Sequence, residues 1–99
     1  DLMQKHAVFV NISRGSVVDE LALIDALQQN KIFAAGLDVY AKEPLQESPL
    51  FQLPNVVTAP HIGSATLETR KKMVHLAYQN LIDALEDRQP RYLVNPKFE

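Results

Sequence analysis

Three short apolar segments, separated by helical and loop-forming stretches, constrain the fold of this 99-residue chain most strongly. They cover residues 7–12, 32–39 and 56–58, and we interpret each as a β-strand. Their apolar residues run on without alternating with polar ones, which is typical of parallel strands inside a sheet. The pattern predicts an α/β protein with a parallel sheet covered on both faces.

Helical patterns follow the first and third of these segments. Asp19 is a candidate N-cap for a helix between the first two strands. A longer helix is predicted to begin at a cap on Ser64 or Thr66 and to end near Asp87. Its apolar stripe consists of Val74, Ala77, Tyr78, Leu81, Ile82 and Leu85.

Polar residues follow the predicted strands at points where ligands commonly bind. Arg14, Asp38 and His61 lie at or just beyond the carboxyl ends of the three strands. Parallel strands bring these ends to one edge of the sheet, beyond which ligands bind in open α/β folds. Glu43 lies in a loop that leaves and re-enters this edge, so it is expected to reach His61.

A histidine, a carboxylate and an arginine form a set suited to reducing a 2-oxo acid. The histidine would transfer a proton near neutral pH, and the carboxylate would fix its tautomer. The arginine would bind a carboxylate with two hydrogen bonds or polarise a carbonyl. No side chain supplies a hydride, so this reaction would require a cofactor.

Each of these residues also has a simpler interpretation. Arg14 could be a surface charge, and His61 a turn residue between Pro60 and Gly63. Glu43 could be a solvated loop acid, and Asp38 a cap or turn former. The residues alone therefore leave the reaction open.

Composition and charge argue against several other functions. The net charge is −2 with scattered basic residues, so nucleic-acid binding is not expected. No apolar run is long enough to predict a membrane span. The chain has no cysteine, which excludes disulfides and fits a cytoplasmic protein. Three dispersed histidines without cysteines do not predict a metal site.

Three motifs resemble the signature segments of the D-isomer-specific 2-hydroxyacid dehydrogenases. They are residues 10–19 (VNISRGSVVD), residues 35–45 (AGLDVYAKEPL) and residues 60–66 (PHIGSAT). They occur in the order and at the spacing of that family, and the resemblance runs from about Leu2 to Pro96. Within the family the chain is most similar to glyoxylate/hydroxypyruvate reductases and 2-ketogluconate reductases.

The resemblance implies a fold and a division of the chain. The fold would be the C-terminal part of a Rossmann-type, doubly wound parallel sheet followed by a long C-terminal helix. Residues 1–65 would form the C-terminal part of an NAD(P)-binding domain. Residues 66–99 would form the helix and tail that return to a substrate domain.

Catalytic roles also follow from the resemblance. Arg14 would hold the carboxylate and carbonyl oxygen of a small 2-oxo or 2-hydroxy acid. Glu43 would hydrogen-bond to His61, and His61 would donate the proton to the carbonyl oxygen. In the reverse reaction, His61 would remove that proton.

The resemblance further implies which residues contact NAD or NADP, with NADPH as our preferred choice. Asp38 would meet the nicotinamide carboxamide, and Ile12 would contact the ring through its backbone. Gly63 and Ser64 would lie along the same ring beside His61.

The chain departs from the family in what precedes these motifs. It has only three glycines and no G-x-G-x-x-G loop for the cofactor phosphates. Because Asp1 is not an initiator residue, we expect the natural chain to begin upstream. We therefore expect the isolated chain to be a catalytically inactive fragment of a homodimeric parent. The alternative is a non-catalytic module that senses NAD(H), similar to the corepressors that share this fold.

Overall fold

The computed structural model describes residues 2–94, and the chain separates into two compact units, residues 1–63 and residues 64–99. The first unit contains strands β1 (Val8–Asn11), β2 (Ala34–Leu37) and β3 (Val56–Thr58), and helix α1 (Glu20–Gln28). The second contains helix α2 (Leu67–Leu85). Short 3₁₀ turns cover Gly15–Val17 and Pro49–Gln52 in the first unit.

The three strands form one parallel sheet in the order β1-β2-β3. Val10 pairs with Gly36, which in turn pairs with Val57. Helix α1 connects β1 to β2 and packs against one face of the sheet. The predicted α/β class with a parallel sheet is confirmed.

Local signals in the sequence set both ends of α1. The Asp19 side chain accepts a hydrogen bond from the Ala22 N–H at 3.0 Å, which confirms the predicted N-cap. At the other end Asn30 has a φ of 53°, and the Lys31 N–H donates to the Ala26 carbonyl oxygen at 2.8 Å. This is a Schellman end with asparagine at the position where glycine is most frequent.

The core of the first unit lies on one face of the sheet. It is formed by residues of α1, β2 and the loop after β2, including Leu23, Ile24, Leu27, Leu37, Tyr40 and Leu50. The opposite face presents Val8, Val10 and Val57, each more than half exposed. Within residues 2–63 the sheet is therefore covered on one face only. Apolar runs do not reveal which faces find a partner within the same stretch of chain.

The second unit confirms the predicted long helix. The Thr66 hydroxyl accepts a hydrogen bond from the Thr69 N–H at 3.2 Å, so Thr66 rather than Ser64 caps α2. Asp87 has a φ of 54° just beyond the C-terminal end. No residue of α2 is buried, and most of its apolar stripe is exposed. Among residues 2–94, no helix has the length and apolarity needed to cross a membrane.

Candidate active site

The loop after β1 presents Arg14. Asn11 ends the strand and is buried, and its side chain shapes this loop. The Asn11 amide nitrogen donates to the Arg14 carbonyl oxygen at 3.0 Å, and its amide oxygen accepts from the Ser13 N–H at 3.1 Å. A buried amide that satisfies both its donor and its acceptor functions fixes the local backbone.

Gly15 brings this loop into backbone contact with the loop after β2. A Cβ atom at Gly15 would lie 1.9 Å from the carbonyl carbon and oxygen of Tyr40, so no side chain fits there. The neighbouring Arg14 is exposed, and its guanidinium donates to the Ser13 carbonyl oxygen at 2.7 Å. Among residues 2–94 it forms no ion pair, so it can bind an anion from solution.

Glu43 and His61 form a close pair. The His61 Nδ1 atom lies 2.7 Å from Glu43 Oε2, and Glu43 Oε1 accepts a hydrogen bond from the Tyr40 N–H at 3.0 Å. The hydrogen bond with His61, followed by that from Tyr40, lowers the pKa of Glu43, and the charge of Arg14 adds to the effect.

This pairing determines which imidazole nitrogen is free. Because its pKa is lowered, Glu43 is ionised at neutral pH and can only accept hydrogen bonds. The proton between the two groups therefore belongs to His61 Nδ1. The other nitrogen, Nε2, remains for exchange with a bound molecule.

The loop that carries His61 is held by Asp38 at the end of β2. Asp38 is buried, and its two carboxylate oxygens accept hydrogen bonds from the Ile62 and Gly63 N–H groups at 2.8 and 2.7 Å. The hydrogen bond from Ile62 is the main cause that lowers the pKa of Asp38. His61 itself has a φ of 56°, a left-handed conformation uncommon for a residue with a side chain. The two hydrogen bonds stabilise this conformation.

The predicted cofactor residues lie in different surroundings. Ile12 directly follows β1 and is 73% exposed, and Gly63 is exposed next to Asp38. Ser64 is half-buried and is the first residue of the second unit. The first unit thus brings Arg14, Glu43, His61 and Asp38 to the carboxyl edge of the sheet. Asp38, for which the resemblance implies a cofactor contact, also accepts the two hydrogen bonds that hold the His61 loop.

Two residues of this site were missed by sequence analysis. Asn11 and Tyr40 both lie within recognised motifs, residues 10–19 and 35–45, but neither was given a role. The Tyr40 hydroxyl lies 2.8 Å from the Ala59 carbonyl oxygen and 3.0 Å from that of Leu37. The signal available in the sequence was the polar group that Asn11 and Tyr40 each place at or just after the end of a buried strand. Buried polar groups need hydrogen-bond partners.

A cleft of about 540 Å³ opens beside the Glu43–His61 pair. Its volume is within the usual range for small-molecule sites. The lining residues combine the pair with mostly apolar side chains: Tyr40, Glu43, Pro44, Leu45, Phe51, Thr58, Ala59, Pro60 and His61. The arrangement offers an exchangeable proton, an exposed arginine and space for a small molecule.

The fold and the position of these residues define a class, the Rossmann-type nucleotide-binding α/β domains. The family model of the D-isomer specific 2-hydroxyacid dehydrogenase NAD binding domain matches residues 1–63. The chain belongs to this family, as the three motifs predicted.

Curated relatives and solved structures agree with this assignment. The chain is 57% identical over 96 residues to glyoxylate/hydroxypyruvate reductase B of Citrobacter koseri, covering 96% of the chain and 30% of the relative. It is similar to the NADPH-dependent glyoxylate/hydroxypyruvate reductase of Sinorhizobium meliloti in complex with NADP and malonate. That match has a TM-score of 0.88 and 38% identity, and it covers 96% of this chain and 30% of the other.

A glyoxylate reductase from Paecilomyes thermophila is a third match. It has a TM-score of 0.80 and 44% identity, with 85% of this chain and 26% of the other covered. The chain thus spans about 30% of the length of the curated relatives it matches.

Proposed function

We propose that this chain supplies the proton-transfer and substrate-carboxylate groups of an NAD(P)H-dependent 2-oxoacid reductase. The observation that carries the proposal is the 2.7 Å Glu43–His61 pair at the sheet edge that also presents the exposed Arg14. Several relatives are named glyoxylate/hydroxypyruvate reductases, so glyoxylate and hydroxypyruvate are the proposed substrates. 2-Ketogluconate remains a third candidate because of the motif resemblance.

In the proposed reduction, Arg14 binds the substrate carboxylate with two hydrogen bonds and orients the neighbouring carbonyl. His61 donates its Nε2 proton to the carbonyl oxygen as that oxygen gains negative charge. Glu43 holds the imidazole through Nδ1 and stabilises its protonated form. In the oxidation direction, His61 Nε2 accepts the hydroxyl proton of the 2-hydroxy acid.

A bound nicotinamide cofactor supplies the hydride in this chemistry. The residues at the sheet edge fit the nicotinamide end of such a cofactor. Ile12 offers an exposed apolar surface, and Gly63 leaves space beside the loop. Each Asp38 carboxylate oxygen keeps a free lone pair after accepting one N–H, so it can also accept from a carboxamide. We propose NADPH, and we extend the cofactor contacts to His61 and Ser64.

The test uses the natural full-length protein with glyoxylate and NADPH. His61→Asn should lower kcat roughly a hundredfold, because it removes the proton donor but leaves cofactor binding largely intact. Glu43→Gln should move the pH profile of reduction to lower pH, because a carboxamide does not stabilise a protonated imidazole. Steady-state kinetics across pH and NADPH titration by fluorescence measure both effects.

His6→Asn and Glu47→Gln are matched controls, because both residues are exposed and outside the site. Each should preserve the wild-type rate and pH profile. A pH profile that ignores Glu43 would contradict the paired role. NADPH binding without turnover of any 2-oxo acid would instead favour the non-catalytic sensing module.

We also propose that the full-length protein is a cytoplasmic homodimer. Support comes from the cysteine-free composition and from the family, whose members usually dimerise through the nucleotide domain. Sedimentation and cell fractionation of the full-length protein test these two statements.

A further inference from the structure

Tyr40 contacts each of the three segments that carry the proposed catalytic residues. It follows β2 and is 6% exposed. Its carbonyl group lies directly against Gly15, the residue after Arg14. Its N–H donates to Glu43, and its hydroxyl reaches Ala59, two residues before His61.

The hydroxyl contact acts on His61 through a short and stiff connection. Tyr40 Oη is 2.8 Å from the Ala59 oxygen, and the single residue between Ala59 and His61 is Pro60, whose ring fixes its φ. Asp38 holds the loop on the other side of His61, at Ile62 and Gly63. The residues at the end of β2 therefore hold the loop both before and after His61.

The hydroxyl is a hydrogen-bond donor under ordinary conditions. Burial raises the pKa of Tyr40, so its hydroxyl stays protonated. Two of its neighbours, the carbonyl oxygens of Leu37 and Ala59, can only accept hydrogen bonds. One proton thus links the end of β2 to the loop that follows β3.

We infer that Tyr40 is a positioning residue: its hydroxyl sets the place of His61 while its backbone N–H sets that of Glu43. The effect expected on the reaction rate rests on the proposed reductase function. The effect expected on the Glu43–His61 distance does not depend on that function. The simpler alternative is that Tyr40 only fills the core, since its ring belongs to the apolar cluster. Tyr40→Phe separates the two, because it keeps the ring and the backbone contacts and removes only the hydroxyl.

The experiment compares full-length wild type and Tyr40→Phe by kinetics and by NMR. We expect kcat to fall about tenfold while KM for glyoxylate changes by no more than about twofold, because the loss affects proton transfer more than binding. The downfield resonance of the His61 Nδ1 proton, assigned with His61→Asn, should shift or broaden. That resonance reports the bond to Glu43 without any turnover.

Ile24→Val is the matched control, because it removes one methyl group from the α1 side of the same core. It should lower the melting temperature but leave kcat and the Nδ1 resonance unchanged. If Tyr40→Phe behaves in the same way, Tyr40 only packs and the inference is wrong. If Tyr40→Phe does not fold, 3-fluorotyrosine at position 40 keeps the ring and makes the hydroxyl a stronger donor. An unaltered resonance in that protein would also overturn the inference.

The two proposals fail differently. A wild type that shows the Nδ1 resonance but reduces no 2-oxo acid would contradict the proposed function. In that protein the response of the resonance to Tyr40→Phe still decides whether Tyr40 positions His61.

Discussion

Asp38 and Glu43 are two ionised carboxylates of one site, and they hold different kinds of partner. Glu43 shares its oxygens between the His61 ring and one backbone N–H. Asp38 uses both oxygens for consecutive backbone N–H groups, those of Ile62 and Gly63. A carboxylate that accepts through each of its two oxygens cannot be matched by an amide, since an asparagine offers one oxygen and one NH₂.

Asp38→Asn should therefore loosen the His61 loop in the full-length protein. One of the two N–H groups would face the asparagine NH₂ and lose its acceptor. We expect kcat to fall roughly tenfold to a hundredfold, because a small displacement of the proton donor is costly. The same steady-state assay with glyoxylate measures the loss, and Asp25→Asn, an exposed change on α1, is the control.

The stability that the Asp38 carboxylate gives to the wild type, relative to Asp38→Asn, should depend on pH in a defined direction. The folded pKa of Asp38 is lowered from the usual 3.8, so its contribution to stability is present above that value. The contribution is lost as the pH falls through the folded pKa. Melting temperatures of wild type and Asp38→Asn should thus converge in acid. A gap of constant size would show that the carboxylate does not hold the loop.

The sequence was informative about which residues form the site and less so about how they are held. Arg14, Asp38 and His61 could be placed at one edge because the apolar pattern indicates parallel strands, whose carboxyl ends share an edge. The links made by Tyr40 and Asn11 could not be predicted, because they join groups that meet only after folding. The 19-residue separation of Tyr40 and Ala59 carries no local signal.

Among the elements, helices were easier to predict than strand ends. Capping is a local interaction, so Asp19 and Thr66 could be recognised as candidate caps. Strand length is not local, since it depends on the partner. The second apolar segment, residues 32–39, gives a strand of only Ala34–Leu37, because β1, its longer partner, supplies only Val8–Asn11. Ile32 and Val39 are buried but lie outside the paired strand.

The cap of α1 provides a test at the level of the element. Asp19→Ala should lower the free energy of unfolding by about 1 kcal/mol, because the Ala22 N–H loses its acceptor. Urea denaturation measures the change. Asp19→Asn should retain most of the stability, since asparagine caps nearly as well as aspartate. Equal losses in both variants would indicate that charge, rather than capping, is responsible.

On the scale of the whole chain, apolar surface remains uncovered in each unit. Val8, Val10 and Val57 lie on the bare face of the sheet, and α2 has no buried residue. The sequence predicted the apolar character of both surfaces correctly. It could not predict the exposure of the sheet face, because an apolar residue is equally favourable against any partner that excludes water.

This exposure leads to a prediction for the isolated 99-residue chain: it should self-associate through the bare face of the sheet. Val10 and Val57 both pair with Gly36, so they flank the position on that face that carries no side chain. The double change Val10→Thr and Val57→Thr keeps the branched shape that strands favour and reduces the apolar area. We expect it to weaken association roughly tenfold, as measured by sedimentation velocity over a range of concentrations.

Val17→Thr removes a similar apolar group from the exposed turn after Arg14 and should have little effect. If the double variant associates as strongly as the wild type, the sheet face is not the contact, and the apolar stripe of α2 becomes the surface to change next.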